Sequence, residues 1–434
     1  MSFASTADRH PADIGTAAAQ VRALALVPLL VYAVLTQLDA LGNRLSAHLP
    51  LGTTELTLAA IVAATVALLL LPRHDAAPRA MGARLIAALY CWAVFCWTLS
   101  LHRVEGATYL GKFAVALVPA LCLFVIADTP ARLRALLWAI VGAGIVSAAI
   151  VLVEHHTHGR ILSTSVAATT AGFEGVARSA GGSDENPTTA AQMLLVSVLI
   201  ATAWLFSGER RWRVLLAGVT TLGMLALVFM SARSALIGFA VGAGLIALGF
   251  RHRRFFPLLV VGGVVAMLAG IPFLPPTLVD RFTAIADFGQ DQTLYRRITY
   301  LRIGWDLIQQ SPLWGVGPGN FPLYYVTDAY RWMPGREPFP RELHNTYLDA
   351  ATELGVVGFL LFAATLGYAL WSARRGAASP DPVLRRTARA TGVALAGLMV
   401  ACFFMPHKDM RYLWLVAAIA MQCGRLAPRK GEVA

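Results

Sequence analysis

The sequence predicts an all-α integral membrane protein of about twelve transmembrane helices with a large helical loop on its outer face. Three observations lead there. Of the 434 residues, 57% are hydrophobic and only 14% charged, whereas a soluble domain carries about 25% charged residues and cannot hide so much apolar area in one core. The apolar residues fall into twelve stretches of roughly the 20 residues needed to cross a bilayer. Lysine and arginine then collect on alternate connections, as membrane topology requires.

The stretches lie at 21–38, 54–71, 84–100, 107–126, 133–153, 188–206, 212–230, 234–250, 256–274, 355–373, 387–405 and 411–424. Residues 1–20 and 425–434 are read as tails, and an even number of crossings puts both on one side. With that side cytoplasmic, the inner segments hold 21 Lys and Arg against 7 Asp and Glu, and the outer ones 14 against 17. The formal charge of +12 is thus mostly a topogenic signal. Its scatter over short loops, without interleaved aromatics, excludes a nucleic-acid surface and suits membrane lipids as neighbours. Nothing near the start has the apolar core and small-residue site of a cleaved signal.

All five cysteines (Cys91, Cys96, Cys122, Cys402 and Cys423) fall inside predicted spans, so no disulfide framework is expected. Most connections are short. Two are long and fall on the outer, periplasmic side: 154–187 and 275–354, the second being more than a connector needs. It reads as an irregular stretch to about Gln292 and then an amphipathic helix over 293–310, with Leu294, Ile298, Leu301, Trp305 and Ile308 on its apolar face. A glycine-rich turn with Gly315, Gly317 and Gly319 follows. No βαβ unit surrounds these glycines, so they are read as structural and not as a nucleotide fingerprint.

Four features on the outer face carry candidate chemistry. Ser231-Ala232-Arg233-Ser234 puts a charge at a helix end, where a cation is costly unless it is used or reaches the interface. Arg178 through Asn186-Pro187 opens the sixth span, with Asn186 able to cap a helix that starts at Pro187. Arg296 and Arg297 sit side by side on the amphipathic helix, about 100° apart. His344, Asn345 and Tyr347 begin a second helical run, whose stripe of His344, Tyr347, Leu348 and Ala351 turns the imidazole inward. Arginine grips phosphate at any relevant pH, and histidine can accept a proton near neutrality. The chain has no Asp-x-Asp and no His/Asp/Glu cluster with metal-ligand spacing. Recognition of an anionic group by arginine, with no metal and no cofactor, is the expectation.

At these residues the chain resembles the O-antigen ligase family, the Wzy-C-type superfamily. The marks are Arg178 with Asn186-Pro187, Ser231-Ala232-Arg233, and Arg296-Arg297 ahead of Trp305. Further along come Pro312-Leu313-Trp314-Gly315-Val316-Gly317, Gly319-Asn320-Phe321, and His344-Asn345 leading to Glu353-Leu354-Gly355. The sequence departs from the commoner pattern at Gly182-Ser183-Asp184-Glu185. The resemblance implies a GT-C-like, metal-independent membrane glycosyltransferase of the bacterial inner membrane. It would move a glycan from an undecaprenyl diphosphate carrier to lipid A–core oligosaccharide at the periplasmic face. In that reading His344 is the base and Arg297 a catalytic cation, and Arg178, Arg233, Arg296, Asn345 and Tyr347 bind substrate. A polymerase or a protein O-oligosaccharyltransferase would use the same donor. A secondary transporter predicts related halves and midplane charges, and Lys112 is the one obvious ionisable residue well inside a span.

Overall fold

The structure is a computed structural model that describes residues 11–46, 53–70, 80–157, 159, 161, 178–207, 210–275, 278–279 and 292–428. The predicted irregular stretch before Gln292 lies largely outside these residues, as does most of the 154–187 loop. Among the described residues regular structure is entirely helical. In chain order the helices are α1 (Pro11–Leu35), α2 (Asp39–Ser46), α3 (Thr53–Leu70), α4 (Met81–Leu99), α5 (Arg103–Ile126), α6 (Pro130–Thr157), α7 (Pro187–Ser207) and α8 (Arg213–Phe229). Then follow α9 (Arg233–Leu248), α10 (Phe256–Gly270), α11 (Gln292–Gln310), α12 (Phe321–Tyr325), α13 (Thr346–Gly376), α14 (Pro382–Ala401) and α15 (Arg411–Leu426).

A helix overlaps each of the twelve apolar stretches. Among the described residues six of them are long and apolar enough to cross a membrane: α4, α5, α6, α7, α8 with its 3₁₀ lead-in, and α13. The rest are shorter or more polar. Helix α1 starts at Pro11, inside what reads as a tail. Helix α7 forms the middle of the bundle, buried from Thr189 to Trp204 by α6, α8, α9 and α14. The α9–α14 crossing is close because two glycines meet there: a Cβ on Gly238 would stand 2.7 Å from the Gly397 carbonyl oxygen, the small-residue contact typical of membrane helices. Helix α15 is only 16 residues long, yet Tyr412 to Gly424 are buried against α5, α13 and α14.

The outer loop has its own core. Tyr300, Ile303 and Leu307 of α11 pack with Val316, Phe321, Tyr325, Tyr330 and Leu343. The apolar face of α11 is therefore rotated from the one periodicity selects. Leu301 and Trp305 remain exposed, at 45% and 59%. Two apolar faces competed, and the aromatic partners of α12 decided between them.

The glycine-rich turn is structural. Gly315, Gly317 and Gly319 all have positive φ, at 68°, 100° and 73°, a region glycine enters freely. The turn docks on α13 where that helix is broken at Gly355 (φ 68°). There the Val316 and Gly317 amides donate to the Thr352 and Glu353 carbonyls at 3.0 Å, and the Val356 amide donates to the Pro312 carbonyl at 2.8 Å. The break thus releases backbone groups that the turn takes up.

Candidate active site

Arg178 and the 231–234 turn come together at one end of the bundle. Asn186 caps α7 as its position predicts, its side-chain oxygen accepting from the Thr188 and Thr189 amides at 2.9 and 3.0 Å. Arg178 is buried and donates to the Met230 carbonyl at 3.2 Å and to the Thr188 hydroxyl at 3.3 Å. It thereby ties the start of α7 to the end of α8. Ser231 follows with φ 51°, an uncommon conformation for a residue with a side chain, and turns the chain into α9 with Arg233 as first residue.

His344 does not begin a helix. Asn345 is the cap, its oxygen accepting from the Tyr347 and Leu348 amides at 3.0 and 3.1 Å, and α13 starts at Thr346. An Asn cap adopts extended backbone by preference, which ends the predicted stripe one residue after the histidine. The imidazole stacks nearly parallel on Tyr300, centroids 5.1 Å apart. Its Nδ1–H donates to the Glu342 carbonyl at 2.8 Å, which leaves Nε2 as the acceptor nitrogen. Burial, assisted by the Arg297 and Arg341 charges, lowers its pKa to about 4, so the ring is neutral at physiological pH.

The adjacent arginines have different surroundings. Arg296 ion-pairs with Glu337 at 3.1 Å, a carboxylate that also holds Arg341. This pair borders a cleft of about 310 Å³ between Tyr295 and Pro334–Glu337. Arg297 instead lies over the Phe404 ring, 5.8 Å from its centroid, on the His344 side. Tyr347 packs on Phe403 at 4.5 Å and donates its hydroxyl proton to the Met399 carbonyl at 2.7 Å. Asn345 and Tyr347 thus both serve the architecture around His344.

The segment joining α14 to α15 links these groups, and sequence reasoning passed over it as a short connector. Thr346 holds it to the start of α13: the Thr346 amide donates to the Cys402 carbonyl at 2.9 Å, and the His407 amide donates to the Thr346 hydroxyl at 3.0 Å. Fully buried His407 hydrogen-bonds Gln192 of α7, whose amide nitrogen donates to Ser234 at 2.7 Å. The chain of contacts thus runs from the Arg233 turn to Thr346, two residues beyond His344. Burial, with the His344 charge adding to it, lowers His407 to about 3. Lys408 is also completely buried, paired with Asp349 at 3.0 Å and with Glu353. Burial alone would lower its pKa, but these two carboxylates more than offset that and leave it raised. The available signal was three consecutive ionisable residues, His407-Lys408-Asp409, between two apolar stretches.

Acidic groups share this end. Glu185 is held at about pKa 7 by burial and by Asp39, Glu342 and Asp409. Glu342, although an exposed residue, is also raised, by loss of hydration at its carboxyl and by the Asp409 and Glu353 charges. Asp39, at the start of α2, accepts from the Asp184 amide at 2.7 Å and so fixes the loop that carries Glu185.

Residues 218–363, from α8 into α13, match the sequence profile of a family described as Wzy_C, O-antigen ligase. That segment, about a third of the chain, is similar to the O-antigen ligase family. The ligase match contains the Arg233 turn, both arginines of α11, the glycine-rich turn and His344. Arg178, Gln192 and the 402–411 segment lie outside it. The similarity supports ligase- or polymerase-type glycan transfer, a glycosyltransferase-like activity on lipid-linked glycans in a membrane. No curated protein matches the sequence. One solved chain, from a structure described as "Structural coordination of polymerization and crosslinking by a peptidoglycan synthase complex", aligns with 79% of this chain and 96% of its own. The identity is 19% and the TM-score 0.42, a likeness too distant to argue from.

Proposed function

We propose that the protein is an inverting, metal-independent O-antigen ligase with about twelve membrane-spanning helices and both termini cytoplasmic. Acting at the periplasmic face of the inner membrane, it transfers a glycan from undecaprenyl diphosphate to lipid A–core oligosaccharide. The observation that carries the chemistry is the hydrogen bond from His344 Nδ1 to the Glu342 carbonyl. It fixes the tautomer in which Nε2 can take a proton, in a ring kept neutral by its surroundings.

In the proposed reaction an acceptor hydroxyl oxygen attacks the anomeric carbon while the bond to the diphosphate oxygen breaks. The hydroxyl proton passes to His344 Nε2, and the electron pair leaves with the diphosphate. Arg297, the first of the two arginine charges that act on the His344 ring, balances the charge that grows on the leaving group. Arg233 adds a second cation on the opposite side of the 402–411 segment. Arg178 acts through the Met230 carbonyl by holding the turn that carries Arg233. Arg296, Asn345 and Tyr347 act by fixing the outer loop and the start of α13.

The test is transfer by purified protein from undecaprenyl diphosphate–glycan to lipid A–core, in EDTA and without nucleotide. Glycan on lipid A–core supports the ligase reading. Elongation of carrier-linked glycan would replace it by a polymerase, and loss of transfer in EDTA would overturn metal independence.

A further inference from the structure

A second cleft is remote from His344. It has a volume of about 390 Å³ and lies where the first turns of α6 and α14 meet the end of α7 and the start of α8. Helix α7 opens beside Arg178 and closes at this cleft, so the two are separated by its length, about 30 Å at 1.5 Å per residue. Nothing in the proposed reaction uses it.

Three arginines from three segments line it: Arg134, Arg211 and Arg386. Among the described residues no carboxylate lines it with them. Each guanidinium carries five donors, so one already engaged elsewhere can still bind a further oxygen. Thr387 also lines the cleft. It is completely buried, and its hydroxyl has no hydrogen-bond partner among the described residues. A buried hydroxyl without a partner is costly, and a ligand oxygen in the cleft would satisfy it.

The remaining wall is aromatic. Trp138 sits between Trp204 and Trp212, with ring centroids 4.9 and 5.4 Å away. Tryptophan favours the level of lipid headgroups, where one side is apolar and the other wet. A ligand suited to this wall and these arginines has a compact anion joined to an apolar body. We propose that the cleft binds the phosphate of an anionic membrane phospholipid, with the glycerol end of the lipid against the tryptophans. Basic pockets between membrane helices hold such headgroups.

The experiment titrates the purified full-length protein, in mild detergent, with short-chain phosphatidylglycerol, short-chain phosphatidylcholine or inorganic phosphate, reading tryptophan fluorescence. The expected result is saturable binding of phosphatidylglycerol, at least tenfold tighter than phosphatidylcholine. Arg134→Gln and Arg386→Gln should each weaken it at least tenfold, and Thr387→Val, which keeps the side-chain shape, severalfold. Arg296→Gln should leave it unchanged. Melting temperatures of the variants separate loss of the site from loss of fold. Equal affinity for the two lipids, or unchanged binding in Thr387→Val and in whichever arginine variants stay folded, would overturn the proposal. Inorganic phosphate binding as tightly as phosphatidylglycerol would overturn the lipid as the source of the phosphate.

Discussion

Lys408 and Glu353 form a buried ion pair that fastens the outer loop to the bundle. The Glu353 carboxylate also accepts the Gly319 amide at 2.6 Å and the Phe321 amide at 3.0 Å, so one side chain holds the glycine-rich turn, α13 and the start of α15. Removing one partner of a buried pair costs about 3–5 kcal/mol because the other charge is stranded. Lys408→Met should therefore lower the melting temperature in detergent sharply. Adding Glu353→Gln and Asp349→Asn should recover part of the loss, and a triple variant no more stable than the single one would refute the stranded-charge account.

His344→Gln should reduce transfer by about 10²–10⁴-fold, the usual range for a general base, while donor binding and melting temperature stay near the unaltered protein. Single-turnover kinetics with saturating donor separate the two effects. A variant with full turnover would remove His344 from the reaction.

The pH profile discriminates among bases. With its pKa lowered to about 4, His344 stays neutral across the physiological range, so kcat/KM should hold down to about pH 4–5. An acid limb near 7 would instead mark Glu185 or Glu342, and loss of that limb in Glu342→Gln would identify which. The same shifts act on stability. The unfolded chain takes up the His344 proton near 6.5, before the folded one does, so this group removes stability as pH falls from about 6.5 to 4. The raised carboxyls act in the opposite sense, weakening the fold as pH rises from about 4.5 through 7.

Arg297→Gln and Arg296→Gln should separate. The first should lower kcat with little change in melting temperature. The second, which frees Glu337 from one of its two arginines, should loosen the outer loop, seen as faster amide exchange over 331–341, with a smaller effect on kcat. Equal kinetic losses would assign both arginines to the donor.

Asn345→Asp keeps a capping oxygen and should be nearly neutral in stability, whereas Asn345→Ala should cost about 1 kcal/mol. Near-normal turnover in Asn345→Asp fits a cap. A large loss there would return the residue to substrate contact.

Much of this was legible in the sequence. Apolar stretches located the helices, because bilayer-crossing composition leaves few alternatives, and Asn186-Pro187 located a helix start through a local hydrogen bond. The glycines of 315–319 were legible as a turn for the same local reason. What could not be read depended on partners far away in the chain. The buried face of α11 was set by Tyr325 and Leu343, not by its own periodicity. Whether Arg296 or Arg297 faces His344 was set by Glu337, some forty residues on. The 402–411 segment stayed hidden because a short connector between apolar stretches looks like solvent-exposed chain, and only packing against α7 and α13 reveals His407 and Lys408 as interior groups.

The break at Gly355 divides α13 into two levers. A Cβ there would come within 2.2 Å of the Leu313 carbonyl oxygen, so glycine is required for the turn to reach the helix axis. From Thr346 to Leu354 the helix is held both by the loop and by the segment between α14 and α15. Any tilt of the loop about this hinge is delivered to the residue just ahead of Thr346, so the position of the His344 ring would report loop motion directly.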